Sequence, residues 1–332
     1  MKLSLKALLL SCTLLSSVNA AEKSLTIYSV YPGDKLEAVF KPFTERTGIS
    51  VNIVEGKSKN LIEKIKNDGV NSDADLHLDK DLVYHNLATQ EGIYQSFNSK
   101  VVEENVPSNF IETNKNWFTI FYRSRVIMYN RDLVSPTELS SYSDLGNKKW
   151  EGKLCVRTSN STYSQALSAS LVAHLGAKKA LDVFKSWVAN FSMDPTSSDR
   201  DVIRALAAGK CHVGLVNSYY LAPFIEADSE YPVRPFFANQ GFSNAHVNGV
   251  GIGITKYSKN VKEATMLLEY LSSKEVQAPV AKAFDQYPVN ASASISTTLR
   301  DFGTFQVDKI NVGTLGNFVE TAKELMTEAE YK

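Results

Sequence analysis

Cys211-His212-Val213-Gly214-Leu215-Val216-Asn217-Ser218-Tyr219-Tyr220 decides how this 332-residue chain is read. Its first half mixes β-branched and apolar residues with Gly, the pattern of a short buried strand. Asn217 and Ser218 then offer helix-capping side chains, and two tyrosines follow. At a strand-to-helix elbow the backbone turns, so neighbouring side chains can converge on one point. In open α/β sheets, ligands bind at such carboxyl ends of strands. Two phenols aimed at one point can give two phenolates, hard anionic oxygen donors suited to a hard metal ion, ferric iron above all. An isolated Tyr-Tyr more often simply packs in a core, so the rest of the chain must decide between the two readings.

Residues 1–20 read as a secretory leader. Lys2 and Lys6 precede a largely apolar run over 7–18, and Val18-Asn19-Ala20 is a small-residue cleavage site that leaves Ala21 as the first mature residue. That run is too short to span a bilayer. Lipidation at Cys12 is disfavoured because Lys6 leaves almost no apolar segment ahead of it. The mature protein is therefore expected to be soluble and exported, with a Gram-negative periplasm as its natural compartment. Lys and Arg together equal Asp and Glu at 36 each, and neither a basic run nor an Arg-aromatic stripe occurs, so no nucleic-acid partner is expected. Five histidines against 15 tyrosines and 16 phenylalanines leave little material for a His-rich metal site. Cys155 and Cys211 are the only mature cysteines, each in a strand-like stretch. In an oxidising compartment such a pair more often forms a disulfide than a metal site.

A mature chain of this length suits two domains. Ser24–Ser29 alternates as an opening strand, and Pro32-Gly33 reads as a turn. Leu36, Val39, Phe40 and Phe43 then recur at helical spacing, with Pro42 expected to kink the helix and Gly48 to end it. A strand over 49–54, a helix over 60–66 and a strand over 75–78 complete a β-α-β-α-β rhythm, which implies a largely parallel sheet flanked by helices. Residues 123–130 read as a long strand leaving this first lobe. A second α/β set begins over 150–157, with helices over 162–175, 180–191 and from a Ser198 or Asp199 cap to Ala207. A Gly-rich strand over 246–254, an amphipathic helix over 261–272 and a closing helix over 318–329 follow, with no internal repeat. The expected fold class is α/β, two-lobed, with strands crossing between the lobes.

Several stretches match a known family: Thr47-Gly48-Ile49-Ser50-Val51, Asn71-Ser72-Asp73-Ala74-Asp75, Arg123-Ser124-Arg125-Val126-Ile127-Met128-Tyr129-Asn130, Trp150-Glu151-Gly152-Lys153, Arg157-Thr158-Ser159-Asn160-Ser161-Thr162-Tyr163, Val216-Asn217-Ser218-Tyr219-Tyr220 and His246-Val247-Asn248. Over essentially the whole mature chain these resemble the periplasmic ferric-ion-binding proteins of ABC-type iron importers, most strongly the tyrosine-rich branch. The resemblance implies the type II periplasmic-binding-protein fold, with residues 21–122 plus about 248–298 in the N-terminal lobe and 123–247 plus about 299–332 in the C-terminal lobe. It implies Fe(III) as transported ligand, Tyr163, Tyr219 and Tyr220 as metal ligands, and Arg123 as the holder of carbonate or another synergistic anion, or as a balance to phenolate charge. It also implies an ABC permease and its ATPase as partners of a monomeric, non-enzymatic receptor. Tyr163 shares a helical stripe with Leu167, Leu171 and Leu175, as a core residue would, but it falls in the first turn of its helix, where free N–H groups favour anions. Arg125, two residues along, is the alternative to Arg123.

The chain departs from the family in its first half. The His-Tyr pair usual in the first β-α turn falls on Pro32 and Gly33, and the family's acidic donor falls near Lys80. Tyr31 or Asp79 are the candidate extra N-lobe donors, with water and a bound anion as the alternative that completes the shell, and Tyr28, Tyr31, His77 and Asp81 each read as structural or merely solvated before they read as ligands. The main rival is the same fold carrying an organic or oxyanion ligand such as a polyamine, thiamine or a phosphonate, and ferrous iron is a further alternative. A secreted hydrolase fits poorly, since the chain carries no Gly-x-Ser-x-Gly or His-Glu-x-x-His.

Overall fold

The computed structural model describes residues 23–332, so the leader reading for 1–20 and Cys12 lie outside the described residues. Nine strands occur among them: β1 (Ser24–Ser29), β2 (Ser50–Glu55), β3 (Leu76–Asp79), β4 (Trp117–Asn130), β5 (Leu154–Cys155), β6 (Val213–Asn217), β7 (Val233–Phe236), β8 (Val247–Ile254) and β9 (Tyr287–Pro288). β2 and β3 flank β1 in parallel, and β8 joins β3 antiparallel. The long strand β4 is shared. Its residues 117–124 pair with β8, and from Arg125 onward it pairs with β6 and β7 instead. β5 lies parallel to β6. Arg123 thus sits two residues before the point where β4 changes partners, the kind of topological switch at which ligands bind.

Packing follows the same division. One core gathers side chains from β1, β3, the first half of β4, β8 and the helices Gly33–Thr47 and Val261–Ser272. Two further clusters form around the second half of β4, β6 and the helices Thr162–Leu175, Ala177–Ala189 and Asp199–Ala207. The architecture is the two-lobed α/β arrangement expected. Cys155 and Cys211 form a disulfide with Cα atoms 5.9 Å apart, tying β5 to the residues leading into β6.

Local chemistry explains both the agreements and the departures. The first helix buries Leu36, Val39, Phe40 and Phe43 and ends at Gly48, whose φ of 70° lets its N–H reach the Thr44 carbonyl. Pro42 was expected to kink it, yet the helix runs on to Thr47. Pro42 and Ala38, whose carbonyl loses its partner, are both exposed, so water meets the cost. Pro32-Gly33 is not a free turn but the start of this helix, with Pro32 in an extended N-cap conformation. β5 is confined to two residues of the expected 150–157 strand, because residues 148–150 form a 3-10 turn capped by Asn147. Four helices, Leu82–Gln90, Lys100–Asn105, Lys274–Ala283 and Thr297–Asp301, were not anticipated. In β8, Gly251 lets the buried His85 ring approach, since a Cβ there would lie 2.7 Å from it.

Candidate metal centre

β6 ends at Asn217, and Ser218–Tyr220 forms a single 3-10 turn before the helix Ala222–Ala227. Neither Asn217 nor Ser218 caps a helix, as the sequence reading had it. Instead Asn217 Oδ1 accepts from Arg125 Nη1 at 3.3 Å. The turn still does what an elbow does: it brings Tyr219 and Tyr220 to one cavity, with ring centroids 4.2 Å apart. Tyr163 reaches the same point from the first turn of the helix Thr162–Leu175, where Ser161 caps the chain by accepting from Tyr163 N. The Tyr219 and Tyr163 hydroxyls lie 3.3 Å apart.

The cavity is about 290 Å³ and is lined by Tyr31, Arg123, Tyr163, Tyr219 and Tyr220, with Lys35, Lys80 and Arg200 beside them. Tyr163 and Lys80 also line an adjoining open cleft of about 1020 Å³. Arg123 is 2% exposed and donates from Nη1 to the Lys80 carbonyl at 2.7 Å. Its Nε and Nη2 have no hydrogen-bond partner among the described residues, and Nη2 lies 3.6 Å from Asp81 Oδ2. The guanidinium carbon stands 5.3 Å from the centre of the Tyr163 ring, and that of Arg157 stands 5.0 Å from it. Arg125 is engaged elsewhere, ion-paired to Asp199 at 2.8 Å and donating to the Leu215 carbonyl.

Burial governs the electrostatics. It pushes the Tyr163 phenol up to about 12 against the pull of Arg123, and holds Tyr219 and Tyr31 well above the ordinary phenol range. Burial also works against the charge on Arg123, but Asp81 and the phenols outweigh it and raise its pKa. Among the neutral side chains only the phenols can become anionic oxygen donors here, and a cation that displaces their protons must supply the energy.

Of the two candidate donors in the first half, the structure brings Tyr31 to the cavity, packed edge-on against Phe284. Asp79 is wholly buried and is not among the cavity's lining residues; its Oδ1 accepts from Asp81 N, and burial raises its pKa to about 7. Tyr28 is 2% exposed in the first core, and His77 is buried against the Tyr94 hydroxyl at 2.5 Å. Gly33 and Pro32 contribute no donor. Lys35, Arg200 and the 283–286 segment were not foreseen as lining. Arg200 follows a helix cap in sequence, and nothing local marks it as facing a site.

Comparison with known proteins places the chain in a family. The family of bacterial extracellular solute-binding proteins matches residues 29–278. Iron uptake protein A1 of Synechocystis is 35% identical over 317 residues, covering 94% of this chain and 88% of that protein. The major ferric iron-binding protein of Neisseria meningitidis is 24% identical over the full length of both. Among solved structures, a Trichodesmium protein (IdiA, FutA) described in complex with iron and citrate ligands is 38% identical. It superposes with a TM-score of 0.89 over 93% of this chain and all of its own. These relatives bind solutes for transport rather than transform them. The chain belongs to the bacterial extracellular solute-binding proteins, with their type II two-lobed fold.

Proposed function

We propose that this protein captures ferric iron between its two lobes and delivers it to an ABC permease and its ATPase. The observation that carries the reading is the cavity that Tyr31, Tyr163, Tyr219 and Tyr220 line together with Arg123. Fe(III) is small, hard and highly charged, and it prefers phenolate oxygen to imidazole or thiolate. Tyr163, Tyr219 and Tyr220 supply three phenolates from the C-terminal lobe, and Tyr31 supplies a fourth from the other side. Arg123 balances their charge and, through its Nε, which has no hydrogen-bond partner among the described residues, holds a synergistic anion such as carbonate. Lys80, where the family carries an acidic donor, adds to that anion's field. The citrate described with the Trichodesmium relative is consistent with an anion beside the metal.

The lobes divide near 122/123, 247/248 and 298/299, so that β4 and the entry to β8 act as hinges and closure buries the ion. The protein works as a monomer in the periplasm after cleavage behind Ala20. The test is metal content. Metal-stripped protein incubated with chelated Fe(III) and separated by gel filtration should retain one iron per chain, and the Tyr219→Phe/Tyr220→Phe variant none. Full retention by the variant would reject the ligand assignment.

The competing reading is an oxyanion ligand, favoured by the cationic Lys35, Lys80, Arg123 and Arg200 and by 24% identity to a putative 2-aminoethylphosphonate-binding protein of Salmonella typhi. A phosphonate that binds the metal-free chain tightly, with no iron retained, would establish it.

A further inference from the structure

Asp81 joins parts of the molecule that lie far apart in sequence. It follows β3, is 1% exposed, and caps the helix Leu82–Gln90: Oδ1 accepts from Val83 N at 3.1 Å and from the Asn248 side-chain amide at 3.0 Å. The other oxygen faces the opposite lobe. Oδ2 accepts the Thr162 hydroxyl at 2.8 Å and lies 3.6 Å from Arg123 Nη2. Thr162 opens the helix Thr162–Leu175 and is covalently next to Tyr163, whose ring stands over Arg123.

The division of labour within this carboxylate is informative. Helix capping is complete at Oδ1, so the bond from Oδ2 to Thr162 is not needed to end a helix. The two bonds at Oδ1 fix the carboxylate to the N-terminal lobe and to β8, so it cannot follow Thr162 if the lobes part. The bond therefore exists only while the cleft is closed at this point. It also sets the start of the Tyr163 helix against the guanidinium that serves the phenols.

We propose that Asp81 is a positioning residue for the metal centre and that the Asp81–Thr162 bond is an interlobe latch holding Tyr163 within reach of the donors across the cleft. The proposal rests on the ferric reading above. The latch adds stability to the closed form without touching the metal, so it acts on the escape of iron and not on its capture.

Thr162→Val removes the hydroxyl, keeps the side-chain shape and leaves the Asp81 cap intact; Thr162→Ser keeps the hydroxyl. Each variant and the wild type are loaded with Fe(III), and the decay of the phenolate-to-iron absorption is followed after adding excess chelator. The Val variant should lose iron about tenfold faster, the scale of one hydrogen bond to a charged acceptor. Its band maximum and its capture rate should match wild type, because the ligands are unchanged, and the Ser variant should release iron at close to the wild-type rate. Release from the Val variant at the wild-type rate, or equal acceleration in Val and Ser, overturns the latch while leaving the iron site standing. A wild-type protein with no band overturns the ferric reading and the latch together.

Discussion

Acidification should strip iron from this site with a steepness that counts the phenols. Unperturbed phenols titrate near ~10. Here burial pushes Tyr163 up to about 12 and Tyr219 and Tyr31 up as well, so these groups are protonated throughout the neutral range. Each phenol that becomes a ligand must give up one proton, and the sign follows: protons compete with the metal, so apparent affinity falls as pH falls. With Tyr31, Tyr163, Tyr219 and Tyr220 all ligating, and with carbonate excluded from the buffer so that no bicarbonate proton joins the count, four protons leave per ferric ion. The apparent binding constant should then change about ten-thousandfold per pH unit, or about 5 kcal/mol. The slope should stay constant between about pH 6 and about pH 7.5, because burial holds Tyr31, Tyr163 and Tyr219 far above that window. Competition against a chelator of known protonation, repeated across that window, gives the slope; proton release in weakly buffered solution gives it independently. The Tyr31→Phe variant should lower the slope by one. A slope of three in the wild type that Tyr31→Phe leaves unchanged would remove Tyr31 from the ligand set, and a slope of one or less would refute phenolate ligation.

Three further outcomes follow from the same structure. A Cβ at Gly33 would meet only Ile53 Cβ at 3.7 Å, so Pro32→His/Gly33→Tyr should fold normally and add two metal donors at that turn. Iron release to a chelator should slow, and an unchanged rate would place that turn outside the site. Replacing Cys155 and Cys211 by Ala opens a loop spanning 56 residues and should cost about 4 kcal/mol of stability through the entropy of the unfolded chain, read from denaturant titration. Asp79, with its pKa raised by burial to about 7, binds more protons folded than unfolded between about pH 4 and that value. Its contribution is therefore fully present at low pH and is lost as pH rises through about 7. Asp79→Asn should be more stable than wild type above that pH, converge with it towards about pH 4, and keep the iron colour.

Much of this was legible before the fold was known. Val213 to Asn217 announced a buried strand ending in two tyrosines, and the helices Thr162–Leu175 and Val261–Ser272 begin and end where caps and periodicity put them. What sequence could not supply was competition between side chains. Asn217 looked like a cap, yet Arg125, 92 residues away, takes its oxygen. Pro42 looked like a kink, yet its exposed side leaves the lost bond to water. The choice of Tyr31 over Asp79 depends on how β3 and the first helix are set against β4, since two carboxylates or phenols near a strand end look alike in a linear chain. The pairing of Asp81 with Thr162, 81 residues apart and in opposite lobes, had no local mark at all.

The most direct test of the account is a visible-absorption titration of metal-stripped protein with chelated Fe(III) at neutral pH. The account predicts a phenolate-to-iron charge-transfer band that saturates at one iron per chain, is absent from Tyr219→Phe/Tyr220→Phe, and fades on acidification. A protein that stays colourless at every ratio would contradict it, and the tyrosines around Arg123 would then have to serve a ligand other than ferric iron.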